Sequence, residues 1–255
     1  MSAFKYLTIR REKGVEYLVL NRPEVRNAFN EDLIGELAAW VAGASGDAAL
    51  RAVVISGAGP VFCAGGDLTW MSKMVGYSHD ENVRDASAAA QMFAAIDALP
   101  VPVIARVHGA AIGGGAGLAA VADIAVTEEG ATFGFTEVKL GLLPALIAPY
   151  VLAKIGQSAA RELFLTGRRF NSERALQIGL VHSVVASADE LDTAVNEYVE
   201  DVLASGGEAI AAAKQLIRQI ANHPANEVAH LTVEAIAKRR VSAEAQERMK
   251  RFLEK

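Results

Sequence analysis

With one cysteine in 255 residues, Cys63, the chain has no internal disulfide framework, and its cysteine usage fits a reducing compartment. No run of 18 or more apolar residues is free of glycine, charge and turn signals, so a membrane-spanning helix is not expected. The opening M-S-A-F-K-Y-L-T-I-R-R-E lacks the charged-then-apolar order of a secretory signal, and a cytoplasmic location is expected. Long basic tracts are missing too, and a net charge of -5 makes nucleic acid a poor candidate partner. Aromatic residues are scarce at 6%, whereas 52% of residues are hydrophobic, so the core must be built mainly from small and aliphatic side chains. Alanine-rich helices of that kind pack closely and suit oligomers.

The chain alternates strand-like and helix-like segments. Tyr6, Thr8 and Arg10, then Val15 to Leu20, are two strand-like runs separated by Lys13-Gly14, which reads as a hairpin. Asn30 is placed to cap a helix carrying Leu33, Ile34, Leu37, Trp40 and Val41 at helical spacing. Arg51 to Ser56 and Val103 to Val107 are short apolar runs of the kind buried on both faces of a parallel sheet. One helical region is expected from Leu68 to about Leu99, then another over Gln157 to Leu165 stopped by Thr166-Gly167. Asn171 or Ser172 starts a further helix, and beyond Ala188 everything reads helical, over 188–204, 208–221, 225–239 and 242–253. We therefore expect an α/β body over residues 1–190 and a helical region over 191–255.

Two glycine-bearing bends each follow a buried-type strand: Ala64-Gly65-Gly66-Asp67 and Gly113-Gly114-Gly115. Adjacent parallel strands would bring both to one edge of the sheet. The first N–H groups of a helix have no partner within it, so such a bend can hold an anion or a developing oxyanion. The glycines equally suit tight packing of the helix that follows. The run fits neither a P-loop nor a dinucleotide fingerprint. Among side chains that could complete a site, Cys63 sits in an apolar setting without a base, and His108 stands at a strand end; both read as structural. Asp67 and Asp123 sit where they would accept backbone N–H bonds. Glu137 differs, because it lies among Phe133, Phe135, Val138 and Leu140, and burial there would raise its pKa toward the range useful for proton transfer.

V-F-C-A-G-G-D-L, V-H-G-A-A-I-G-G-G-A-G-L-A-A-V-A-D and F-G-F-T-E-V-K-L-G-L-L-P, in this order, resemble the crotonase family of enoyl-CoA hydratases and isomerases. R-P-E-V-R-N-A-F-N and L-F-L-T-G-R-R-F-N-S-E-R-A-L-Q-I-G-L-V-H extend the likeness over nearly the whole chain. The resemblance implies a spiral of ββα units with a C-terminal helical trimerisation region, assembled as a homo-trimer or hexamer. It implies an acyl-CoA thioester as substrate and no separate cofactor or metal, coenzyme A being part of the substrate. It assigns the oxyanion N–H groups to Ala64 and Gly114 and the proton-transferring carboxylate to Glu137. Arg26 is placed near the CoA phosphates. Ala28, Gly66, Asp67, Leu68, Ile112, Gly113 and Thr136 are placed along the substrate, and Lys255 reaches CoA from a neighbouring subunit.

One departure bears on the reaction. Hydratases of the best-known type carry two glutamates twenty positions apart; the second is Glu137, but Gly117 stands at the first. Hydration of a 2-enoyl-CoA is the reading taken. The finer texture resembles bacterial members acting on branched, doubly acidic substrates such as 3-methylglutaconyl-CoA in leucine breakdown. The sequence does not identify a group for a distal carboxylate; Lys73, His79 and Arg84 are the cations that follow the Ala64–Asp67 bend. The alternatives are a 3-enoyl-CoA to 2-enoyl-CoA isomerase using the single Glu137, and a catalytically degenerate acyl-CoA-binding member.

Overall fold

The computed structural model describes residues 4–254. A six-stranded sheet runs in the order β1 (Leu7–Glu12), β2 (Val15–Leu20), β3 (Ala52–Gly57), β4 (Val103–Val107), β6 (Ile124–Glu128) and β9 (Ser183–Val185). β1 and β2 form the expected antiparallel hairpin, with Leu7 opposite Leu20 and Glu12 opposite Val15; every other pair in this sheet is parallel. A second, three-stranded sheet runs β5 (Ala110–Ile112), β7 (Thr132–Gly134) and β8 (Arg169–Asn171). The layout follows from repetition. β4 and then β5, like β6 and then β7, send the chain first through the large sheet and then through the small one. After β3 the same step is made by Cys63, which bridges to Ala111 of β5.

Helices cover both faces of the large sheet. On one side lie α1 (Glu31–Ser45), α2 (Leu68–Met74), α3 (His79–Ala98) and α4 (Gly114–Val121), with α5 (Ala148–Thr166) packed against α4. They close a core that contains Leu33, Leu37, Phe62, Met92, Phe93, Ile96 and Leu118. Asn30 caps α1 by accepting from Leu33 N at 2.9 Å, as its sequence position implies. The single helix expected over 68–99 is instead two, because Ser78 starts α3 with a full capping box to Glu81. In α5 the chain breaks at Gly156 (φ +69°), so its second half matches the helix expected from Gln157, and Gly167 ends it in the left-handed region. After β8, α6 (Ser172–Gln177) is capped by Asn171.

The other face of the sheet is covered by α7 (Ala188–Ala204). Leu191, Val195, Val199 and Val202 pack there on Val15, Ala52, Val54, Ile104 and Val126. The boundary expected at residue 190 therefore falls inside α7, and this helix belongs to the body. The hydrophobic spacing of α7 faces a sheet that the sequence could not place behind it. α8 (Gly207–Ile220), α9 (Ala225–Arg240) and α10 (Ala243–Leu253) form the outer helical region. Glu244 of α10 accepts from the N–H groups of Glu208 and Ala209, both at 3.0 Å, so it caps the start of α8. No helix among the described residues is long and apolar enough to cross a membrane.

Candidate active site

The two glycine bends meet where the small sheet joins the large one. Cys63 N donates to Ala110 O at 3.0 Å and Ile112 N to Cys63 O at 3.0 Å, which brings residues 63–66 alongside β5 and the start of α4. A further bridge pairs Phe29 with Gly66: Phe29 N donates to Gly65 O (2.7 Å) and Asp67 N to Phe29 O (2.8 Å). In such a parallel pair the intervening residue turns its own N–H the other way. Gly66 N accordingly has no backbone partner among the described residues. Gly114 N, at the first position of α4, has none either.

Ala64 is different, and here the expectation is corrected. Its N–H donates to Arg26 O at 3.0 Å, so it is not free to hold a substrate oxygen. Gly66 and Gly114 are among the backbone donors at the bends that have no backbone partner among the described residues. The sequence locates the bend but not this register, because the direction of each N–H depends on which neighbouring segment pairs with which residue.

Gly113 shows why glycine is needed between β5 and α4. Its backbone, at φ +51° and ψ −118°, lies where a side chain is strongly disfavoured, and its N–H donates to Gly134 O at 2.8 Å. A Cβ placed on it would come within 3.1 Å of Glu137 Oε1, so the carboxylate lies directly against the turn. Tight packing is satisfied as well. A Cβ on Gly115 would meet Cys63 O at 2.4 Å, so both readings of the glycine run hold, at different residues.

Glu137 opens a 3-10 turn, Glu137–Leu140, directly after Thr136. Burial raises its pKa above the ordinary carboxylate value, and a hydrogen bond with its own backbone only partly opposes this. Its Oε2 is buried without a hydrogen-bond partner. A half-buried carboxyl with an unused oxygen can hold and pass a proton. Twenty residues earlier, Gly117 is enclosed. A Cβ there would sit 2.2 Å from Ile147 Cγ2 and 3.3 Å from Phe93 Cε1. The place where a second glutamate would begin is occupied by hydrocarbon.

A cleft of about 790 Å³ borders the first bend, and its lining includes Arg26, Ala28, Ala64, Gly66, Asp67, Leu68, Ile112, Thr132 and Arg169. Of the residues expected along the substrate, Arg26, Ala28, Gly66, Asp67, Leu68 and Ile112 thus share one cavity. Gly113, Gly114, Thr136 and Glu137 are not part of this lining; Gly113 follows Ile112 of the lining, and Glu137 lies against Gly113. Lys255 lies outside the described residues. Asp67 is buried and spent on structure: its carboxylate accepts from Thr69 N (2.7 Å) and Trp70 N (3.3 Å) and pairs with Arg22 Nη2 at 2.8 Å. Only its position and backbone border the cleft.

Arg22 and Asn27 were not among the expected site residues, yet they hold the cleft wall. Asn27 is fully buried in the left-handed region (φ +56°), and its Nδ2 donates to Ala58 O at 2.8 Å and Val61 O at 2.9 Å while Oδ1 accepts from Arg22 N. The usable signal was N-R-P-E followed by R-N, a proline-started turn with polar residues too numerous for a plain loop. Thr132 and Arg169 were missed because their strands, β7 and β8, have only three residues each. Cys63 is structural as expected: it is wholly buried, its Sγ lies 3.1 Å from Asn27 O, and burial pushes its thiol up to about 12. His108 sets Nε2 2.9 Å from Gly59 O, and Asp123 accepts from Val103 N at 2.7 Å and Lys214 Nζ at 2.6 Å. No group of three or more His, Cys, Asp or Glu among the described residues is arranged to hold a metal ion.

Known proteins share this fold. The Pseudomonas aeruginosa protein AtuE superposes with a TM-score of 0.94 at 35% identity, covering 98% of this chain and 96% of its own. An enoyl-CoA hydratase from Shewanella pealeana superposes at 0.93 with 36% identity, covering 98% and 94%. The short-chain-enoyl-CoA hydratase of Clostridium acetobutylicum is 31% identical over 213 residues, 83% of this chain and 80% of its own. The fold is therefore the crotonase spiral. The two glycine bends and Glu137 lie together, and the sequence pattern of the enoyl-CoA hydratase/isomerase family matches residues 10–255: the chain belongs to that family.

Proposed function

We propose that the protein adds water reversibly to a 2-enoyl-CoA, with Glu137 as its one proton-transferring side chain. The observation that carries this is the meeting of a half-buried carboxylate, its Oε2 without a hydrogen-bond partner, with the Gly113 turn, beside two backbone N–H groups that have no backbone partner among the described residues. The thioester carbonyl accepts from Gly66 and Gly114, which draws electron density from C3. Glu137 takes a proton from water as its oxygen bonds to C3; the electron pair of the double bond moves to the thioester oxygen, giving an enolate. Glu137 then returns its proton to C2, so H and OH have added across C2 and C3. Each donor on the enolate oxygen contributes about 3 to 4 kcal/mol to this step. Relatives named enoyl-CoA hydratase support the direction of the reading.

The enclosed Gly117 favours a second reading. With Ile147 and Phe93 filling the place of a second carboxylate, Glu137 alone must position water. Moving a proton from C2 to C4 of a 3-enoyl-CoA needs no water and one carboxylate, so isomerisation uses the same groups.

The acyl group is that of a 2-enoyl-CoA, and a branched one such as 3-methylglutaconyl is included in this reading. A doubly acidic acyl group such as 3-methylglutaconyl would need a free cation. Lys73 is engaged by Glu31 and His79 lies beside Asp80 on the surface, whereas Arg26 and Arg169 line the cleft without an ion-pair partner among the described residues, so the cleft can take such a group as well. A trimer or a pair of trimers is supported by exposed apolar side chains on the outer helices, Ile217, Val233, Ile236, Phe252 and Leu253.

The test is mass spectrometry of products formed in deuterated water from crotonyl-CoA, a 3-enoyl-CoA and 3-methylglutaconyl-CoA, with Glu137→Gln as control. A gain of one water from crotonyl-CoA, lost in the control, is expected. Double-bond migration without water gain would establish the isomerase. Thioester cleavage, loss of carbon dioxide, or binding of CoA esters without turnover would overturn both.

A further inference from the structure

The donor at Gly66 is held from one side by a residue that the proton transfer does not use. Phe29 and Gly66 are bridge partners, with Phe29 N donating to Gly65 O at 2.7 Å and Asp67 N to Phe29 O at 2.8 Å. Those two bonds flank Gly66 and turn its own N–H the other way. The guanidinium of Arg22 spans the pair: Nη1 donates to Ala28 O, and Nη2 donates to Asp67 Oδ2 at 2.8 Å. Ala28 and Asp67 are the chain neighbours of Phe29 and Gly66, so one planar fork grips both segments a single residue from the bridge. Arg22 is itself fixed. It is buried, its Cζ lies 4.8 Å from the centre of the Tyr6 ring, and its backbone is tied twice to Asn27: Arg22 N donates to Oδ1 and Arg22 O accepts from Asn27 N, both at 2.9 Å. On its other side the bend meets β5, where a Cβ on Gly65 would stand 3.0 Å from Ile112 O. Residues 65–67 are thus wedged between β5 and the segment that Arg22 holds.

We infer that Arg22 is a positioning residue for the reaction: by tying Ala28 O to the Asp67 carboxylate it fixes the register of residues 28–29 against 65–67, and with it the direction in which Gly66 presents its N–H to the thioester oxygen. This rests on the enoyl-CoA reading and deepens it. A hydrogen bond to a developing oxyanion depends steeply on alignment, and a displacement of about 1 Å costs about 10²-fold in rate. Binding of the ground-state thioester depends on it less, because its carbonyl oxygen carries little charge until the double bond moves. Gly114 is set separately, by the start of α4, so one donor stays in place when Arg22 is changed. Lysine at this position keeps the charge beside Asp67 but offers a single ammonium instead of the fork, so it does not hold both segments in one geometry.

The experiment measures kcat and KM for crotonyl-CoA in the intact protein, in Arg22→Lys, and in Arg22→Met combined with Asp67→Asn, where both charges leave together and none is stranded in the interior. The folded fraction of each is checked by circular dichroism. Infrared difference spectroscopy then reads the C=O stretch of bound butyryl-CoA, isotopically labelled at the thioester carbon; this ester has no double bond to hydrate, and hydrogen bonds to its carbonyl oxygen lower the frequency. The expected result is a kcat per folded molecule lowered about 10- to 100-fold in both variants, with KM changed less than about threefold, and a smaller downshift of the stretch than in the wild type. A kcat and a stretch equal to those of the wild type in either variant overturn the inference. So does a raised KM with kcat unchanged, which makes Arg22 a residue of ground-state binding, and so does loss of the fold in both variants, which makes it structural alone. These outcomes leave the enoyl-CoA reading intact. Turnover of neither crotonyl-CoA nor a 3-enoyl-CoA by the wild type overturns both.

Discussion

Replacing Gly117 by alanine tests whether the missing glutamate is an open gap or a filled one. The new Cβ would sit 2.2 Å from Ile147 Cγ2 and 3.0 Å from Ile147 Cβ, against a comfortable carbon separation of about 3.5 to 4.0 Å. Ile147 is 3% exposed and backed by core, so it cannot swing into solvent. Overpacking of this kind costs about 1 to 3 kcal/mol, and so short a contact belongs at the upper end, about 3. Alanine recovers about 1 kcal/mol over glycine inside a helix, which leaves a net loss of about 2 kcal/mol. The cause is identified by a second substitution. Ile147→Ala alone should cost about 3 kcal/mol through lost burial and a cavity. In that background the 2.2 Å contact is gone while the 3.0 Å contact to the remaining Cβ stays, so adding Gly117→Ala should cost about 1 kcal/mol or less. Urea denaturation of the four proteins, analysed by linear extrapolation, reads all the terms. If Gly117→Ala costs the same with and without Ile147, that side chain is not what fills the position, and the account of why this chain works with one carboxylate is wrong.

Two further outcomes follow from charges in and beside the cleft. Burial raises the Glu137 pKa, so the fold binds this proton more tightly than the unfolded chain does. Stability from this group is therefore highest at low pH and declines as pH rises from 4.5 through the raised folded value. Glu137→Gln should abolish turnover yet be more stable than wild type at neutral pH, with the difference vanishing in acid; equal stability at both pH values would show that the carboxyl is not desolvated. Asp67 behaves oppositely. Burial alone would raise its pKa, but Arg22 and the N–H groups of Thr69 and Trp70 lower it overall, so its contribution is present above 3.8 and is lost as pH falls through the depressed folded value. Asp67→Asn leaves the Arg22 guanidinium buried without its partner and should cost about 3 to 5 kcal/mol at neutral pH, measured by denaturant melts. A loss below 1 kcal/mol would mean that the pair does not brace the cleft.

Local signals decided much of this protein without any help from packing. The hairpin at Lys13-Gly14, the Asn30 cap, the stop at Gly167 and the helix 188–204 each rest on neighbours within a few residues, so the sequence reveals them. Glu137 also showed itself locally, because an acid set among phenylalanines and valine has to be desolvated once they are buried. The tertiary structure decided what depends on segments far apart in the chain. The free donor is Gly66 and not Ala64 because residues 26 and 29 pair with the bend from the N-terminal side, and that register has no local signature. Gly117 could be read as a vacancy until Ile147, thirty residues later, was seen to fill it. α7 belongs to the body because its apolar face finds the sheet behind β3, β4 and β6. Periodicity tells that a face must be buried; only the closed fold tells against what.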